Sequence, residues 1–149
     1  MGVIAAVLLV VIFGSPPVVD WVRDNTDPAT PDGWFLHQLT WPAWQIDADD
    51  SLRDAVASIL RALLVLLFAG VFLSLPGTQL ARVRGTVSQL LTGWAAYIFA
   101  GAVAGLLAAV IQSDPSVIGT FQAAVAGAGY GLFSGWIVGL GTLGGIRSR

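Results

Sequence analysis

The chain has 149 residues, of which 56% are hydrophobic and only 11% charged, with a formal net charge of -2 and a mean hydropathy of +0.79. A soluble domain of this size needs far more polar surface, so that class is excluded. The apolar residues are gathered into long runs rather than spread at amphipathic spacing, as a bilayer requires. An all-α integral membrane protein is expected, forming one membrane domain over residues 1–149.

Every acid is Asp and every base is Arg; Glu and Lys do not occur. Such a bias fits a GC-rich genome, and Asp in place of Glu without Lys also fits an extreme halophile. There is no cysteine, which excludes disulfides, iron–sulfur clusters and thiolate chemistry.

The first apolar run, Gly2 to Phe13, resumes through Pro16, Pro17, Val18 and Val19. A signal peptide is the rival reading, but a basic n-region is missing and no A-x-A-like site follows. A membrane helix over about 2–19, kinked by its prolines at the outer end, is expected. From Asp20 to Asp50 the chain turns polar and aromatic, and Pro28, Pro31 and Pro42 argue against one continuous helix. Trp21, Trp34, Trp41 and Trp44 all fall there. Indole rings favour the headgroup layer, so this segment is expected to lie along the membrane surface as an interfacial belt, with a short helix near Asp32 to Leu39.

Ser51 and Asp54 form a capping-box-like S-x-x-D before a second membrane helix over about 54–75, which Pro76-Gly77 stops. Thr86 with Gln89 repeats that logic for a third helix over about 87–111. Asp114-Pro115 reads as N-cap and N1 of a fourth, over about 117–144. The third helix carries a close-packing pair, Gly101 and Gly105. In the fourth, small residues recur at every fourth position: Ala123, Gly127, Gly131, Gly135 and Gly139. That spacing makes one smooth ridge along a helix. The ridge either packs on the chain's own second or third helix or joins subunits; Tyr130 and Trp136 fall off it and are expected to face lipid or a neighbour.

Of the nine Asp residues, eight lie between Asp20 and Asp54 and the ninth is Asp114, whereas Arg82, Arg84, Arg147 and Arg149 lie on the opposite side of a four-helix topology. Positively charged short loops stay inside, so both termini are expected on the cytoplasmic side of a cellular membrane or the inner side of a viral envelope. Arg61 is the intramembrane charge. It is expected either to snorkel to the headgroups or Asp54, or to form a buried pair with Asp114 or Gln112.

Candidate chemistry is sparse. Asp47, Asp49 and Asp50 form a D-x-D-D run, but it immediately precedes a helix start, so capping and a solvated acidic rim explain it; weak calcium or magnesium binding is the most it supports. His37 is the lone imidazole, and with no Cys it makes no zinc site unless Asp ligands join it. No nucleophile elbow, phosphate-binding loop or basic patch for nucleic acid occurs. No cofactor, metal site or catalytic residue is expected, and the partners are the lipid bilayer and other membrane subunits or copies of the chain. Three functions follow in order: a structural or accessory subunit of a membrane assembly or envelope, a homo-oligomeric holin-like pore, and an outer-face lipid-acting enzyme using Asp47 to Asp54.

Overall fold

A computed structural model describes residues 2–44, 46, 51–74, 86–112 and 116–144, the side chains of Thr86 and Gly144 excepted. Six helices make up the described chain, with no strand among these residues: α1 Gly2–Phe13, α2 Pro16–Asn25, α3 Pro31–Leu39, α4 Leu52–Ser74, α5 Thr86–Ile111 and α6 Val117–Gly144. At 1.5 Å per residue, α4, α5 and α6 run about 34, 39 and 42 Å, enough to cross a hydrocarbon core of about 30 Å. All three are apolar enough to do so, and a fourth span exists if α1 and α2 count as one bent crossing. The sidedness of the termini rests on Arg82, Arg84, Arg147 and Arg149, which lie outside the described residues together with Asp47, Asp49, Asp50 and Asp114.

The expected first helix over 2–19 is two helices, bent by 61°. Gly14 and Ser15 break it because Pro16 and Pro17 bring no amide N–H, and a residue ahead of proline is pushed to an extended backbone. Ser15 adopts that conformation, with ψ of 142°. What remains of α1 is 12 residues, about 18 Å, which is too short to cross alone.

Local chemistry sets the other helix starts. Thr30 caps α3, its Oγ1 accepting from Gly33 N–H at 3.2 Å. Ser51 caps α4: its Oγ accepts from Asp54 N–H at 3.2 Å and donates to the Asp54 carboxylate at 2.6 Å. At α6 Ser116 caps the helix, with Gly119 N–H donating to Ser116 Oγ at 2.9 Å; the expected cap, Asp114, lies outside the described residues.

The central contact is between α5 and α6, which lie antiparallel along their lengths. The small-residue ridge of α6 faces α5 of its own chain. A methyl built on Gly127 would collide with the carbonyl oxygen of Gly101, and one on Gly101 with that of Gly127. Gly105 stands in the same relation to the carbonyl of Ala123. Further along, Gly131 faces the backbone of Tyr97 and Ile98, Gly135 the ring of Trp94, and Gly139 the carbonyl of Leu90. Each step of four on α6 thus meets a step of three or four on α5, the matching of ridge to groove that close helix pairs require. Against this hairpin pack α4, through Ala62, Val65 and Ala69, and α1, through Ala6, Leu9 and Val10; all six residues are buried. Tyr130, expected to face lipid or a neighbour, is instead fully buried. It stands three residues from Gly127 on the same side of α6, so it turns inward beside the ridge.

Space at the glycines predicts a contrast. Gly127→Ala should destabilise by about 1–3 kcal/mol, because the added methyl would run into the Gly101 carbonyl and press on the Trp41 ring. Gly70→Ala, which meets nothing within 4 Å, should be neutral or stabilising by up to about 1 kcal/mol from helix propensity. Unfolding in mixed micelles titrated with SDS measures both.

Candidate functional site

The polar groups inside the bundle gather in one layer. Tyr97 of α5 and Tyr130 of α6 are both fully buried, and their hydroxyls share a hydrogen bond of 2.8 Å. One turn further along α6, Ser134 is buried too, its Oγ donating to the Tyr130 carbonyl at 2.5 Å. Back-bonding of this kind disposes of a hydroxyl that hydrocarbon cannot solvate. Trp94 ties the same two helices, Nε1 donating to the Leu132 carbonyl at 2.8 Å.

Onto this layer the segment after α3 places Trp41. Its ring stacks on Tyr130 with centroids 5.4 Å apart and planes inclined by 26°. The ring edge lies 3.2 Å and 2.9 Å from where Cβ atoms on Gly105 and Gly127 would sit, so the two glycines that bring the helices together also let the indole pack close against them. The four tryptophans expected as one interfacial belt therefore divide. Trp21, Trp34 and Trp44 are exposed, whereas Trp41 packs against the core. The segment also touches the bundle directly. Trp34 meets Phe133 edge-on at 4.7 Å, and Gln38 Nε2 donates to the Ala126 carbonyl at 3.4 Å, so α3 rests on the middle of α6.

Arg61 closes the stack from α4. Its guanidinium carbon lies 5.2 Å from the centroid of the Trp41 ring, within the range of a cation–π attraction. Its Nη2 donates to the Ala43 carbonyl at 3.5 Å, a long bond, and its buried Nε has no hydrogen-bond partner. Neither expected pairing is formed within the described residues. Asp54 lies two turns away with its carboxylate engaged by Ser51, Gln112 is exposed at the far end of α5, and Asp114 lies outside the description. The side chain turns inward because an aromatic face and a carbonyl lie beside it, which its sequence neighbours do not announce.

The stack Arg61–Trp41–Tyr130–Tyr97 therefore joins four elements through one cation, two phenols and an indole. It can hold a charge in an apolar setting and lock the segment after α3 onto the hairpin. His37 contributes a buried Nε2 without a partner. No group of three or more His, Cys, Asp or Glu residues suited to a metal ion occurs among the described residues. The carboxylates of the D-x-D-D run lie outside them.

Four variants separate packing from charge here. Tyr97→Phe should cost about 1–3 kcal/mol by orphaning the Tyr130 hydroxyl, while Tyr97→Phe combined with Tyr130→Phe should recover most of that loss. Trp41→Ala should cost about 3–5 kcal/mol through the cavity it leaves, whereas Arg61→Met should hold or raise stability, since a buried cation with no carboxylate partner among the described residues is itself costly. Unfolding midpoints of the purified variants read all four. In comparison with known proteins, the chain matches no protein-family model, no curated protein and no solved structure.

Proposed function

We propose that the protein is a structural or accessory subunit of a larger membrane assembly, contributing a rigid helical unit rather than a path or a reacting centre. The observation that carries this reading is the filled interior. Tyr97, Tyr130, Ser134, Val10, Val65 and Val138 are all below 2% exposed at the centre of the bundle. The Tyr97 and Tyr130 hydroxyls bond to each other, and Ser134, Trp94 and Gln38 donate to backbone carbonyls of α6. A centre so filled supports the role of a scaffold that presents its outer surface.

That surface is large and apolar. On α6 alone, Val117, Ile118, Phe121 and Val125 are 66–76% exposed, and with Gln122 and Ala126 they line a groove of about 480 Å³. Lipid or neighbouring subunits cover such a face in a membrane. The pore reading needs the small-residue ridge between copies, and α5 already occupies it, which weighs against that arrangement.

Native mass spectrometry of the protein extracted from its own membrane tests the proposal. A complex with at least one other polypeptide, or a defined multimer, is expected. A monodisperse monomer with nothing bound contradicts it. Planar bilayers containing the purified chain should remain silent, and steady conductance would replace this reading with the pore.

A further inference from the structure

Three observations fix the depth of the α2–α3 pair. Gly2, at the start of α1, lies at the far end of the bundle, where a Cβ on it would meet the side chains of Thr142 and Leu73. From there α1 rises only about 18 Å before Gly14, whose carbonyl accepts from Trp44 N–H at 3.2 Å. The second helix of the pair, α3, then touches α6 between Ala126 and Phe133. At 1.5 Å per residue, about 14 Å of α6 extends beyond Ala126 on one side and about 16 Å beyond Phe133 on the other. The α2–α3 pair thus sits half-way along the bundle.

Its exposed face is charged. Asp20, Arg23, Asp24, Asp27 and Asp32 are all exposed on α2, on α3 or between them. Asp20 and Arg23 form an ion pair of 3.9 Å with about half of each side chain open, and the Asp27 carboxylate accepts from Ala29 N–H at 2.8 Å. On α6 at a similar depth, Val125 is 70% exposed. Hydrocarbon suits Val125, but it does not suit a row of carboxylates and an irregular backbone at 26–30, which membranes tolerate only against protein or water. Sliding the membrane until α2–α3 reaches its surface leaves about 16 Å of α6 for a core of about 30 Å. It also strands Val117, Ile118, Phe121 and Val125 in water.

We infer that α2 and α3 form a re-entrant pair facing a water-filled recess in one side of the bundle, at the depth where α6 faces lipid. This holds whether or not the chain is a subunit of an assembly.

The absence of cysteine makes the test clean. Single variants Asp24→Cys, Asp27→Cys, Val125→Cys and Ser116→Cys are reconstituted in lipid vesicles and treated on both faces with a membrane-impermeant sulfonated maleimide. All four positions are exposed, and each variant is first matched to the parent chain by elution volume and helicity. Asp24→Cys and Asp27→Cys should react at rates close to that of Ser116→Cys. Val125→Cys should react at least roughly tenfold more slowly, since the reagent needs a hydrated thiolate. Two results overturn the inference: the two Asp positions reacting as slowly as Val125→Cys, which means lipid or protein covers them, or Val125→Cys reacting as fast as Ser116→Cys, which means the outer half of α6 stands in water.

Discussion

The rest of the structure depends on the approach of α5 and α6 with no side chain between their backbones at Gly101 and Gly127. Water supplies no driving force between helices inside a bilayer, so they associate through close van der Waals contact. Glycine facing glycine gives the shortest approach available. Because the ridge continues through Gly131, Gly135 and Gly139, the contact is a seam along the hairpin and not a single crossing point. Its length fixes the register, and the register decides which polar groups meet. Tyr97 reaches Tyr130, and Trp94 reaches the Leu132 carbonyl, because the seam places them opposite one another.

A second consequence is the close contact beside the seam. Gly105 and Gly127 carry no Cβ, and the Trp41 ring packs close against them. The indole is the anchor that draws the segment after α3 onto the bundle. Once it is seated, Pro42 is buried and Trp44 bonds to the Gly14 carbonyl, at the level where α1 ends. Arg61 then has an aromatic face and a carbonyl within reach and needs no carboxylate to enter the layer. The docking of the α3–α4 connection and the inward turn of Arg61 thus trace back to two glycines and one indole, while Pro16 and Pro17 end α1.

The sequence announced whatever depends on local order. Runs of apolar residues marked α4, α5 and α6; Ser51 with Asp54 marked a helix start; steps of four marked a smooth ridge. Prolines 16 and 17 marked a kink, but not that the helix ends there and a new one departs at 61°. Trp41 was not legible as an anchor, because an indole in a polar segment has the same signature whether it meets headgroups or packs against helix glycines. Tyr130 was misplaced for a related reason: its hydroxyl is tolerable inside only because Tyr97, 33 positions earlier, lies opposite. Arg61 likewise found partners 18 to 20 positions away, Ala43 and Trp41, rather than an acid one or two turns along its own helix. Pairings set by the register of separate elements leave no periodic trace.

The intramolecular seam is the claim on which the account stands. Magic-angle spinning NMR of glycine-labelled protein in bilayers reads it through the contact between the Gly101 and Gly127 backbones, recorded first on fully labelled protein and then with labelled chains diluted in an excess of unlabelled ones. The account predicts a cross-peak whose intensity per labelled chain is unchanged by dilution. A cross-peak that fades in proportion to dilution would place the contact between chains and contradict it.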